Sequence, residues 1–159
     1  MESARQAGRR GWRSAVLAGL VLVGCTACAY AGGDDVAIEQ SALVGDWANM
    51  AGARLHIGDD HSATVSDLKH AVPDTTCATE VDDGTWEFWV PVDDDGGYSP
   101  SRTATKGKSF VLTLNRDRRG FRCSVDVAVR RDKHGLNLCL VMDPDQGCTE
   151  GELLRKIGT

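Results

Sequence analysis

Arg122-Cys123-Ser124-Val125-Asp126-Val127-Ala128-Val129-Arg130 alternates apolar and polar side chains with a period of two. Successive strand residues point to opposite faces, so this spacing predicts a half-buried β-strand with Cys123, Val125, Val127 and Val129 inward. Similar units lie on either side. Trp86, Phe88 and Val90 alternate with Thr85, Glu87 and Trp89, and Phe110, Leu112 and Leu114 repeat the pattern. The parity places Trp86 and Phe88 in the core and Trp89 on the opposite face, as a surface or pocket aromatic. Tyr98 is the second aromatic expected on the surface.

Turn chemistry joins these units. Gly58-Asp59-Asp60-His61 separates Arg54–Ile57 from Ala63–Ser66, and Arg131 to Gly135 separates the deciding strand from Leu136, Leu138 and Leu140. Both read as hairpins. A last turn at Asp143-Pro144-Asp145-Gln146-Gly147 leads back through Cys148 to Ile157. Ser66–Ala71, before Pro73, is a single helical turn, and the Gly-, Ser- and charge-rich connection from Asp93 to Lys108 is expected to be the most mobile loop. The fold class is therefore all-β, a small antiparallel barrel or sandwich of about seven or eight short strands.

The region before the domain has a different character. Residues 1–13 are basic, and Ser14–Val23 (SAVLAGLVLV) is an apolar run of signal-peptide length, below the roughly 18 residues of a spanning helix. Leu22-Val23-Gly24-Cys25 follows it. These four residues resemble the lipobox of bacterial lipoproteins. The resemblance implies cleavage between Gly24 and Cys25 and a diacylglyceryl thioether on Cys25, which would hold the chain to a membrane on its extracytoplasmic side. Arg9-Arg10-Gly11-Trp12 is similar in part to a twin-arginine export signal, with Gly8 where that family has Ser or Thr. The domains expected are a lipoprotein signal peptide at 1–24, a lipidated flexible tether at 25–41 and an antiparallel β domain at 42–159.

An exported chain sits in an oxidising compartment. Cys25 is assigned to lipid and Cys28 to the tether, leaving Cys77, Cys123, Cys139 and Cys148 for two disulfides, with all three pairings open. Their spacings of 46, 16 and 9 residues contain no Cys-x-x-Cys pair, which argues against zinc.

Charge and motifs exclude further classes. The formal charge is -5, but the first 24 residues carry +3, leaving -8 on the remainder. Such a surface repels phosphate backbones, so no nucleic-acid partner is expected. Asp34-Asp35, Asp59-Asp60, Asp82-Asp83 and Asp93-Asp94-Asp95 lack the alternating ligands of a calcium loop, as do Asp143, Asp145 and Glu150, and read as solvated turn acids. Gly107-Lys108-Ser109 resembles the end of a phosphate-binding loop, yet Arg102 stands where that motif needs Gly. His56, His61, His70 and His134 have no metal-pair spacing, and no Ser occupies a nucleophile elbow. The expectation is a non-enzyme without cofactor or metal.

Leu43-Val44-Gly45-Asp46-Trp47 resembles the Gly-x-Trp opening strand of lipocalin-like barrels, a resemblance that implies a Trp closing one barrel end. The Cys77 segment leading into Gly84-Thr85-Trp86 and the closing hairpin at Asp143-Pro144-Asp145 resemble small actinobacterial lipoproteins of unestablished activity. Two further lipocalin signatures, a Thr-Asp-Tyr turn and a closing Arg, are absent. Two functions remain open. One is a non-catalytic binding module for a small apolar ligand or an envelope partner, with a concave apolar pocket. The other is a structural or interaction lipoprotein with a filled core, acting through a patch near Trp89 or Tyr98 as accessory to an envelope complex. Only seven aromatics follow Tyr30, a thin supply for a core and a ligand cage together.

Overall fold

The computed structural model describes residues 33–73, 75, 77, 80–92, 96–115, 122–143 and 146–158. The expected signal peptide, Gly24, Cys25, Cys28, the Asp93–Asp95 run and Pro144-Asp145 lie outside the described residues. Twelve strands are described: β1 (Asp34–Asp35), β2 (Ile38–Glu39), β3 (Gly45–Ala48), β4 (Arg54–Ile57), β5 (Ser62–Ser66), β6 (Asp82–Val92), β7 (Gly97–Ser101), β8 (Lys106–Gly107), β9 (Ser109–Leu114), β10 (Cys123–Asp132), β11 (Gly135–Val141) and β12 (Leu154–Ile157). One helical turn, α1 (Gln40–Leu43), precedes β3, and a 3-10 turn spans Leu68–His70.

Eight of these strands close on themselves in the order β10-β11-β12-β3-β4-β5-β6-β9, every neighbour antiparallel, with β9 returning to β10. Of the expected all-β antiparallel barrel or sandwich, the barrel is thus the observed fold, and closure leaves no sheet edge along the ring. The deciding strand is its longest-paired wall: Cys123–Ala128 pair with β9 while Asp126–Asp132 pair with β11. Its inward residues are buried and Ser124, Asp126 and Ala128 face outward, as the period of two requires. The turn at Lys133-His134 is the tight hairpin expected there, since Asp132 pairs directly with Gly135.

The interior is filled. Trp47, Trp86, Phe88, Phe110, Leu112, Leu114, Val125 and Val127 each have no exposed surface, so no water-sized void touches them. Phe88 and Phe110 meet the Trp86 ring edge-on at 5.2 and 5.9 Å, the arrangement ring quadrupoles favour. The Trp86 indole N–H donates to the Gly58 carbonyl at 3.0 Å, which satisfies the one polar atom this side chain brings inside.

Two expectations need correction. Residues 34–41 of the expected tether at 25–41 are part of the fold. Asp34 and Asp35 pair with Arg131 and Arg130, Ile38 is buried against the core, and α1 leads directly into β3. Backbone hydrogen bonds on strands too short to show a period made this segment unreadable. The connection from Asp93 to Lys108, which the sequence reads as a single loop, contains two strands. Strand β6 runs on to Val92 and pairs with β7 (Phe88 with Ser101, Val92 with Gly97), and β8 pairs with β2. Gly107 matters here, because a side chain on it would come within 2.4 Å of the Phe88 ring. Its absence lets the β2–β8 ribbon lie across the barrel end.

That end is sealed by Trp47. Its indole N–H donates to the Leu43 carbonyl at 2.8 Å, and the Lys156 ammonium sits 5.7 Å from the ring centroid while donating to the Ala42 carbonyl. The cation supplied by the last strand is a lysine, which a search for a closing Arg passes over.

The four domain cysteines pair as Cys77–Cys123 and Cys139–Cys148. The first links the segment before β6 to β10, across the end opposite Trp47. The second lies outside the barrel wall, where Val141, Cys148 and Leu153 form a small second cluster with Cys139.

Candidate functional site

With the interior filled, grooves on the outer wall are what remains for recognition. The first is about 430 Å³ and crosses β6, β9, β10 and β11. Its origin lies in side-chain size. Phe88 pairs with Phe110, so one residue further Trp89 stands level with Ser109, which pairs with Ala128, which pairs with Cys139. A large residue followed by three small ones leaves a hollow. The segment after β11 raises the far bank, with Gln146 reaching the rim, and Tyr98 on β7 and Asp35 on β1 close the end near the chain entry.

The two aromatics singled out from sequence therefore meet in one groove. Trp89 is half-buried and Tyr98 is 67% exposed. The Trp89 indole N–H donates to Asp126 Oδ1 at 2.9 Å, which fixes the ring against the wall. Arg130 Nε donates to Asp35 Oδ1 at 3.0 Å across the β1–β10 pair. Asp126, Asp35 and Arg130 were missed as site residues. Trp89 and Asp126 are 37 positions apart, and only the barrel register makes them neighbours.

The frame of the groove is clamped by charge. Asp132, ending β10, accepts from both Arg155 terminal nitrogens at 3.2 and 2.7 Å, and Arg155 also donates to Glu150 at 2.9 Å. This ties the β10–β11 hairpin to β12 and to the segment bearing Cys148. The Arg155 hydrogen bonds, helped by the His134 backbone N–H and opposed by burial, pull the Asp132 carboxyl down to about 2. A depressed folded-state value means stability that is fully present above the unfolded value near 3.8 and is lost as pH falls through about 2. Asp132→Asn is therefore expected to cost about 1–2 kcal/mol at neutral pH. In chemical denaturation at a series of pH values, the gap from the unchanged protein should narrow below pH 4 and close near pH 2. A gap independent of pH would contradict this assignment.

A second groove, about 480 Å³, runs along the outer face of β3 to β5. Register sets Asp46 beside His56, His56 beside Thr64 and Thr64 beside Asp83. His56 Nδ1 lies 2.7 Å from Asp46 Oδ1, both well exposed. The order carboxylate, imidazole, hydroxyl suggests a nucleophile relay, but the Thr64 hydroxyl donates to Asp83 Oδ1 at 2.9 Å. A hydroxyl whose proton is held by a carboxylate is not handed to the imidazole, and the row lies open to water rather than in a dry cleft. A third groove, about 510 Å³, is lined by Glu39, Gln40, Asp59 and Thr105 without an aromatic. Of these three grooves among the described residues, the first combines a partly exposed apolar floor with the exposed aromatic edges of Trp89 and Tyr98 and convergent polar groups, which outweighs its slightly smaller volume.

Among the described residues, no group of three or more His, Cys, Asp or Glu is placed to hold a metal ion. Comparison of the chain with protein-family models, with curated proteins and with solved structures found no match.

Proposed function

We propose that this protein is a lipid-anchored, extracytoplasmic, non-catalytic binding module that engages its ligand or envelope partner on the outer wall of the barrel. The observation that carries this reading is the contrast between a filled interior and an aromatic groove beside Trp89 and Tyr98. A β-barrel without a cavity can act only through its outside, and aromatic side chains that escape burial are the usual anchors of a recognition surface. Of the two functions left open by the sequence, the filled-core module is the one this contrast favours. The lipocalin-like resemblance is supported by the position of Trp47, while a ligand inside the barrel is not part of the proposal.

The anchor reading rests on Leu22-Val23-Gly24-Cys25. Residues 26–32 separate Cys25 from Gly33, the first described residue, a span of at most roughly 25–30 Å for any conformation of the chain. The groove, with Asp35 on its rim, is then held close to the membrane surface. The test is a photo-crosslinking amino acid at position 98, compared in cells with one at Met50, which is more open to solvent (94% against 67%) but remote from the groove. Crosslinks concentrated at position 98 in the membrane fraction, with Cys25→Ser releasing the protein from membranes, are the expected result. Equal labelling from both positions would refute the groove, and retention of Cys25→Ser on membranes would refute the anchor.

A further inference from the structure

The charges around the groove narrow the chemistry of its occupant. Arg130 is matched by Asp35, and Glu87, on the same outer face, is matched by Arg102 at 2.6 Å. Asp126 differs. One of its oxygens accepts the Trp89 indole N–H, and among the described residues no cationic side chain forms an ion pair with it. Among the described residues, Asp126 is thus a negative charge on the groove floor without an ion-pair partner. An indole N–H points outward in the plane of the ring, so the bond holds the carboxylate at the ring edge and leaves the ring faces to other contacts. A cation seated against such a face is attracted by the ring quadrupole within about 6 Å of the centroid, and Asp126 at the edge adds a full opposite charge.

The lining sorts cations from one another. Ala128 presents apolar surface over the buried Cys139 and Val141, which suits methyl or methylene groups around a nitrogen and does not suit a hydrated metal ion that needs several oxygen ligands. The volume, about 430 Å³, is in the range of small-molecule sites. We infer that the groove binds a small organic ammonium compound, its cation against Trp89 and Tyr98 and its charge balanced by Asp126. This rests on the groove being the working surface of the protein, and it adds the class of ligand.

The test uses the full mature protein in detergent, titrated separately with choline and with dimethylbutanol, the neutral isostere that carries carbon in place of nitrogen. The NMR resonance of the Trp89 indole N–H reports binding. Choline is expected to shift it saturably, with the isostere at least about tenfold weaker, and Asp126→Asn, which keeps an acceptor for the indole N–H, is expected to weaken choline by about tenfold or more. Equal affinity for the two compounds would overturn the cation assignment while leaving the groove as an apolar site. Binding of neither would also overturn it. Silence from the crosslinker at position 98 as well would remove the groove reading along with it.

Discussion

Replacing Trp86 by Ala is expected to lower stability by about 3–5 kcal/mol, whereas Trp89→Ala, three residues along the same strand, is expected to cost no more than about 1.5 kcal/mol. The difference follows from parity. Trp86 is fully buried, packs edge-on against Phe88 and Phe110, lies 4.5 Å from the His61 ring and satisfies the Gly58 carbonyl. Its removal opens a cavity the size of an indole and leaves a carbonyl without its donor. Trp89 faces the groove and gives up one hydrogen bond to Asp126 together with a partly buried ring. Against a total stability of about 5–15 kcal/mol, the first change threatens the fold and the second does not. Urea unfolding followed by far-UV circular dichroism separates them. A larger loss at Trp89 than at Trp86 would mean that the wall of the barrel is turned the other way, and comparable losses would contradict the assignment of Trp89 to the outer face.

Opening Cys77–Cys123 by a paired change to Ala is expected to cost more than the same change at Cys139–Cys148. On the chain-entropy account the two crosslinks close loops of 46 and 9 residues, worth roughly 4 and roughly 2.5 kcal/mol. Packing acts in the same direction. Cys77 and Cys123 belong to the main core, while the second bridge belongs to the small cluster outside the wall. The second bridge has a different consequence, because it pins the segment that carries Gln146 to the groove bank. Its loss should loosen the groove while the barrel persists. Denaturant midpoints of the two paired variants give the ranking, and a reversed order would show that native-state packing at Cys139 outweighs loop closure.

The barrel was legible because its walls are half-buried antiparallel strands, the case in which a period of two survives in the residues. Val125, Val127 and Val129 announce the inward face of β10, and Phe110, Leu112 and Leu114 that of β9. The same rule placed Trp89 outside. It failed where a strand buries little. Gly97–Ser101 pairs through its backbone, with exposed Tyr98 and Pro100 giving no alternation, and Asp34–Asp35 is held by pairing to Arg131 and Arg130. Cysteine pairing was beyond reach because it depends on which strands the barrel brings together. The groove was half visible: aromatic parity pointed to Trp89, but Asp126, Ala128 and Ser109 become its neighbours only through a register set by chain closure.

Whether a ligand would sit inside the barrel or on its wall is decided by native mass spectrometry of the protein purified from cells, compared with an Ala128→Trp variant that fills the groove. Any small-molecule mass that denaturation releases from the unchanged protein is expected to be absent from Ala128→Trp. A released mass retained equally by both proteins would place the ligand in the interior and contradict a filled barrel that works from its outer wall.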